Sequence, residues 1–284
     1  MKAKFMLVAL LALVAIILAA CSGQAAPPQS TAQPEGCLGS AETALVDLGC
    51  REVTIAVENA YLPFNYIIVA TGEAGGWDYE AFNEICTRLH CTPKFVETAW
   101  DGLIQSVSAG QYDVGGDGIT ITEDRAKTVD FSIGYMQIQQ RLLVRKGETR
   151  FGSIEELAAN PDFILGTQVN TTNYETAKGY LPEDRIKAFD QFPFAIQALL
   201  AGDLDAVIID EIVGMGYQGT SKDQLDFVGP SISSDELGFA FTKGSDLVGP
   251  VNQALEAMKA DGTLAKLNEK FFGPGFSISE EDIQ

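Results

Sequence analysis

Histidine is nearly absent from this chain: His90 stands alone among 284 residues. A His-rich metal site, or a mechanism built on several imidazoles, is excluded at once. Basic side chains are also scarce, 19 Lys and Arg against 39 Asp and Glu, for a formal charge of −20. A nucleic-acid partner needs basic surface to displace phosphate counterions, so that class is set aside. No GxxxxGK[ST] loop occurs, which argues against nucleotide hydrolysis. What the chain does have is 46% apolar and 20% charged residues, the balance of a globular protein with a sizeable core. At roughly 150 residues per domain, the length suits one large domain or two medium ones.

Long apolar runs are missing as well, except at the front. Phe5 to Ala20 is uninterrupted and follows a short basic stretch carrying Lys2 and Lys4. As a helix it would rise about 24 Å, short of the ~30 Å hydrocarbon core. A cleavable export signal over residues 1–20 is therefore expected, with no further membrane span. The run ends Leu18-Ala19-Ala20-Cys21, which resembles the lipobox of bacterial lipoproteins. That resemblance implies cleavage before Cys21 and lipidation of its thiol, a membrane anchor. Residues 21–36 hold three prolines and small polar side chains, and read as a flexible tether. Loss of Lys2 and Lys4 with the signal takes the net charge to −22.

Four cysteines remain beyond Cys21: Cys37, Cys50, Cys86 and Cys91. An oxidising exterior permits disulfides, and four thiols allow three pairings. Sequence proximity favours Cys86–Cys91 and Cys37–Cys50. A zinc site is the alternative, although the spacing is not CxxC and the sequence shows no partner for His90.

The body alternates strand and helix signals. Arg51 to Val57 alternates as a half-buried strand should, and Tyr79, Phe82, Ile85 and Leu89 recur at helical spacing. Ser153-Ile-Glu-Glu156 reads as a capping box, and Phe163-Ile164-Leu165 as a strand. Two helices are expected to close the chain, through Leu247–Met258 and Leu264–Phe271. This alternation predicts α/β layers. One echo stands out: Ala109-Gly110-Gln-Tyr-Asp113-Val114 returns as Ala201-Gly202-Asp-Leu-Asp205-Ala206. Each follows an amphipathic helix and precedes an apolar strand, which suggests two lobes of similar build.

The densest polar constellation is Gly115-Gly116-Asp117-Gly118-Ile-Thr120-Ile-Thr122-Glu-Asp-Arg125. Glycines at a strand end let backbone approach a ligand closely. Thr122 followed by two acids reads as a helix N-cap, whose N–H groups suit an anion. Arg125 adds a fork that can grip a carboxylate bidentately. An ordinary strand–cap–helix junction with a surface arginine is the plainer alternative.

The run from Trp100 to Tyr135, with GITITEDR followed by VDFS, resembles the extracytoplasmic solute-binding proteins, family 3, of polar amino-acid ABC transporters. So do Tyr61-Leu-Pro63-Phe64, Gly76-Trp77-Asp78-Tyr79-Glu80, Asp205-Ala-Val-Ile-Ile-Asp210 and Glu236-Leu-Gly-Phe-Ala-Phe-Thr-Lys-Gly244, in order over about residues 51–273. The resemblance implies a periplasmic-binding-protein-like (type II) α/β fold: two lobes joined by two hinge strands, ligand in the cleft. Lobe 1 would be 37–140 plus 235–284, and lobe 2 would be 141–234. It implies that Arg125 clamps the ligand carboxylate, with Thr120 and the Gly118 backbone beside it, and that Asp210 receives the ammonium. Thr171 and Thr172 fall where a family loop reaches the carboxylate, but Asn170 replaces the usual glycine. Tyr61 and Trp100 match pocket-lining positions, and Glu58 and Gln168 match positions that select the side chain. A cationic or amide side chain is favoured, with Glu58 and Asp117 meeting a cationic end and Trp100 and Tyr61 stacking on a guanidinium. No cofactor is expected. The implied partners are an amino acid, and a membrane permease with its cytoplasmic ATPase, served by a monomeric receptor. A ligand sensor for a membrane receptor is one alternative, and an enzyme of the cyclohexadienyl dehydratase type on the same fold is another.

Overall fold

The computed structural model describes residues 35–221, 224–276 and 278. The expected signal segment, Cys21 and all but the last two residues of the expected tether lie outside the described residues.

The first strand, β1 (Arg51–Val57), forms where the alternating REVTIAV run predicts it. A small antiparallel sheet of β2 (Ala60–Tyr61), β3 (Asn65–Ile68) and β4 (Glu73–Gly75) then leads into α1 (Trp77–Leu89). The helix buries Trp77, Phe82, Ile85 and Leu89. β5 (Cys91–Glu97) returns parallel to β1. After α2 (Leu103–Ser108), β6 (Val114–Gly115) pairs parallel on the other side of β1, and β7 (Val129–Phe131) follows.

The ten-residue β8 (Met136–Arg145) carries the chain into a second sheet. There α3 (Ile154–Ala159) opens on Ser153, whose hydroxyl accepts the Glu156 N–H at 3.3 Å. The expected capping box is displaced by one residue, because the Glu156 carboxylate takes the Gly152 N–H. β9 (Leu165–Gln168) begins two residues later than the apolar run suggests. α4 (Thr172–Tyr180), β10 (Ile186–Phe189), α5 (Phe192–Ala201), β11 (Ala206–Asp210) and α6 (Glu211–Thr220) complete the alternation. β12 (Leu225–Leu237) runs back along β8 with a bulge between Val228 and Ser233. β13 (Ala240–Thr242) re-enters the first sheet, and α7 (Val248–Ala260) and α8 (Thr263–Phe272) close the chain as expected.

Both sheets have five strands on one plan. The first runs β5-β1-β6-β13-β7 and the second β10-β9-β11-β8-β12. In each, the second strand is flanked by two parallel neighbours, and two antiparallel pairings complete the far side. The AGxxD echo lies at equivalent places, between α2 and β6 and between α5 and β11. Gly110 and Gly202 both take left-handed backbone, at φ 73 and 89. Asp113 then accepts the Thr54 N–H, and Asp205 the Ile164 N–H, each at 2.8 Å. The spacing survives because each aspartate ties its turn to the strand next door. The result is a two-lobed α/β fold, with β8 and β12 the long paired strands associated with the crossing between lobes.

Both favoured disulfides form, Cys37–Cys50 and Cys86–Cys91, the second joining the end of α1 to the start of β5. His90 does have partners, contrary to the sequence reading: Cys50 lies on one side of its ring and Asp47 on the other. Among the described residues, no helix is long and apolar enough to cross a membrane.

Candidate functional site

In open α/β sheets, ligands bind outside the carboxyl ends of the parallel strands. Here those ends carry the polar side chains. Glu58 follows β1, Asp117 and Gly118 follow β6, Gln168 ends β9, and Asp210 ends β11. All five positions converge on the space between the lobes.

A small cavity of about 20 Å³ lies there, room for about one water and far below the ~300 Å³ lower end of small-molecule clefts, so a solute must widen it. Tyr61, Trp100, Gly118, Thr120, Arg125, Gln168, Thr171, Thr172 and Asp210 all border it. Of the expected site residues only Glu58 stands back from its wall, bonded to Gln168. Asp117 borders the pocket too, and so do two residues the sequence did not single out, Asn173 and Phe192. Asn173 is a buried polar side chain in a stretch that reads as a polar helix start. Phe192 opens α5 and looks like core in any pattern.

Arg125 sits in a single 3-10 turn, Arg125–Lys127, so the expected helix with an N-terminal anion site is absent. Thr122 still caps the turn, its hydroxyl accepting the Arg125 N–H at 3.2 Å. Without a helix, the guanidinium itself is left as the cleft's cation. One N–H donates to the Thr120 carbonyl at 2.9 Å, and the carbon of the fork lies 5.3 Å from the centre of the Trp100 ring. Trp100 thus carries the protein's own guanidinium. Partial removal from water pulls the Arg125 pKa down to about 10, with Asp210 opposing, so the group stays cationic at neutral pH.

Asp210 is buried and accepts from the Tyr61 hydroxyl on one oxygen and from Asn173 at 3.1 Å on the other. Burial pushes its carboxyl up to about 6, against the pull of Tyr61, Asn173 and Arg125. Tyr61 stands in an aromatic wall, stacked on Phe64 and 5.6 Å from the Phe192 centroid.

Gly118 shows why glycine is needed beside that wall. Its φ is 55, and a Cβ there would come within 2.8 Å of the Tyr61 ring. Asn170 takes left-handed backbone, at φ 57, and donates to Asp101 at 2.8 Å. Thr171 caps α4, receiving the Tyr174 N–H at 3.1 Å, and Thr172 lies 3.4 Å from Thr120, hydroxyl to hydroxyl.

Behind the pocket lies a store of buried acid. Glu58 accepts from Gln168 at 2.7 Å, and its backbone N–H reaches Asp117 at 3.3 Å. Asn65 donates to both Asp117, at 2.6 Å, and the fully buried Asp78, at 2.9 Å. Burial, then the charge of Asp117, pushes Glu58 up to about 8, while burial alone lifts Asp117 to about 7. Such a cleft resists a second anion and accepts positive charge.

A two-lobed fold with a cation and several acids facing one small cleft defines a binding protein for a small zwitterionic or cationic solute. The sequence profile of Bacterial extracellular solute-binding proteins, family 3, matches residues 53–274, and the chain belongs to that family. It is 30% identical over 224 residues to the L-cystine-binding protein TcyJ of Escherichia coli strain K12, covering 77% of this chain and 82% of that protein. Among solved structures, an ancestral arginine-binding protein bound to glutamine is similar at a TM-score of 0.73 and 33% identity, over 78% of this chain and 98% of that one. The ancestral amino acid-binding protein AncCDT-1, a precursor of cyclohexadienyl dehydratase, is similar at 0.72 and 34%, over 78% and 95%.

Proposed function

We propose that this protein is the extracytoplasmic substrate-binding subunit of an ABC importer, capturing one polar L-amino acid and delivering it to a membrane permease. The observation that carries the reading is that Arg125, between β6 and β7 of the first sheet, and Asp210, ending β11 of the second, line one pocket. A zwitterion needs a cation and an anion about one Cα apart. Arg125, with Thr120, the Gly118 backbone and the Thr171–Thr172 loop, takes the carboxylate; Asp210 takes the ammonium. Only the closed state presents both groups, so the ligand shifts the equilibrium toward closure. Hinge closure of this kind is the known behaviour of periplasmic binding proteins.

Glu58, Asp117 and Gln168 select the side chain, with Tyr61 and Trp100 as its apolar borders. The excess of acid favours a cationic side chain, and the glutamine bound by a similar ancestral protein keeps an amide in view. Residues 37–140 plus 235–284 form lobe 1 and residues 141–234 lobe 2, on a monomeric receptor without a cofactor. Cleavage after Ala20 leaves Cys21 lipidated, with residues 21–36 as the tether to the membrane.

The test is calorimetric titration of residues 34–284, unfolded and refolded to strip bound solute, against the twenty amino acids. Saturable one-to-one binding of arginine, lysine, histidine or glutamine supports the reading. Silence across the panel contradicts it and favours the second reading, a dehydratase-like enzyme. Glu58, a buried carboxyl pushed up to about 8, would then be the proton-holding group to assay. A sensor for a membrane receptor would bind the same solute and is told apart by a neighbouring permease gene.

A further inference from the structure

Away from the cleft, a second chemical cluster sits where the N-terminal segment meets the end of α1. Cys50 and His90 both hold left-handed backbone, at φ 62 and 53, and the Cys50 N–H donates to the His90 carbonyl at 2.9 Å. This pairing brings His90 Nε2 to 3.1 Å from Cys50 Sγ. On the other side of the ring, Nδ1 lies 2.7 Å from Asp47 Oδ1. Asp47 is itself fixed, since the same oxygen accepts the Gly49 N–H at 2.8 Å. The ligand atoms of Cys37, Cys50 and His90 all lie within 4.8 Å of one another, and all three residues are half-buried rather than sealed.

A disulfide that only pinned the N-terminal segment would need no imidazole in line with its sulfur. Cys86–Cys91, by contrast, is sealed in the core at 0% and 1% exposure. Two cysteine sulfurs and one imidazole nitrogen are the donor set of zinc-like divalent cations. A metal-bound histidine characteristically gives its other ring N–H to a carboxylate, which fixes the tautomer and the ring plane. Asp47 already occupies that place.

We propose that Cys37, Cys50 and His90, oriented by Asp47, form a latent three-ligand site for a zinc-like divalent cation, held shut by the Cys37–Cys50 disulfide and opened by a dithiol. In the opening step one thiolate of the dithiol attacks Cys37 Sγ. The Cys37–Cys50 bond breaks, and Cys50 leaves as a thiolate facing the His90 ring. The second thiol of the dithiol then attacks the mixed disulfide and releases Cys37. Two electrons pass to the protein, the dithiol becomes a disulfide, and its two protons are left for the new thiols. The cation displaces those protons, and a solvent molecule completes four-coordination.

The test uses the full chain carrying Cys21→Ser, reduced with dithiothreitol, desalted without oxygen and titrated with Co²⁺ alone. The expected result is one Co²⁺ per reduced chain, with a thiolate-to-cobalt absorption band that Zn²⁺ abolishes and the oxidised chain lacks. Asp47→Asn should weaken Co²⁺ binding about ten- to a hundredfold. His90→Ala should weaken it at least as much, with the far-ultraviolet circular dichroism unchanged. Absence of the band in a reduced chain with free thiols overturns the proposal. So does a band indifferent to both variants, or one that arises only when the chain has lost its helical signal.

Discussion

Gln168 donates its amide to the Glu58 carboxylate at 2.7 Å, joining the carboxyl end of β9 to the residue after β1 across the cleft. The same amide nitrogen also reaches the Asp190 carbonyl at 2.8 Å. Gln168 therefore reaches Glu58 from the second sheet, while the Trp100 backbone holds the same carboxylate from the first.

The first prediction concerns that acid. Glu58→Gln keeps the shape and removes a charge. It should lower affinity for arginine at least tenfold, about 1.4 kcal/mol, and change affinity for glutamine much less. Calorimetry on both ligands reads the difference. Equal losses for the two would mean that Glu58 does not select charge.

Stability should depend on pH with a sign set by the same group. Glu58, Asp117 and Asp210 are pushed up to about 8, 7 and 6, each chiefly by burial, so the closed arrangement favours their neutral forms while no ligand fills the cleft. Their contribution is full below the ordinary carboxylate range and is lost as pH rises through about 6 to 8. The exposed acids Asp47 and Asp124 and the half-buried Asp130 are held low by His90, Lys127 and Lys243, and act oppositely at more acid pH. The ligand-free Tm should therefore fall between pH 5 and 8.5, and Glu58→Gln should flatten the upper part of that slope. Affinity for a cationic ligand should rise over the same window, with protons released on binding.

Gly118→Ala tests the strand-end glycine. The left-handed φ of 55 and the Tyr61 ring 2.8 Å from the added Cβ both oppose it. A loss of about 1–3 kcal/mol in denaturant unfolding is expected. Because Tyr61 must shift away from Asp210, ligand affinity should fall as well. A variant with unchanged stability and affinity would show that the close approach is not needed.

Much of this was legible in the sequence. The paired AGxxD turns announced two lobes, because a helix–turn–strand unit with a strand-tying aspartate keeps its spacing wherever it recurs. The pocket-lining residues from Tyr61 to Asp210 were reachable through family motifs. Glycine-flanked acids at strand ends gave Asp117 and Gly118 without them. Phe192 and Asn173 were not legible: one looks like core and the other like helix surface until the first-sheet residues close against them. The helix expected after Thr122 fails because the chain turns to β7 within seven residues of the cap, leaving room for a single 3-10 turn. His90 gained its partners through two left-handed residues, Cys50 and His90 itself, and cysteine is not a residue type that signals such backbone.

The central claim is that Arg125 and Asp210 together hold one zwitterion from opposite lobes. Its most direct test is calorimetric titration of Arg125→Ala and Asp210→Ala with the amino acid that the intact protein binds best. Removing one partner of a desolvated ion pair typically costs ~3–5 kcal/mol. Each variant should therefore lose at least about a hundredfold in affinity while its far-ultraviolet circular dichroism stays that of the parent. Unchanged affinity in either variant would contradict the account.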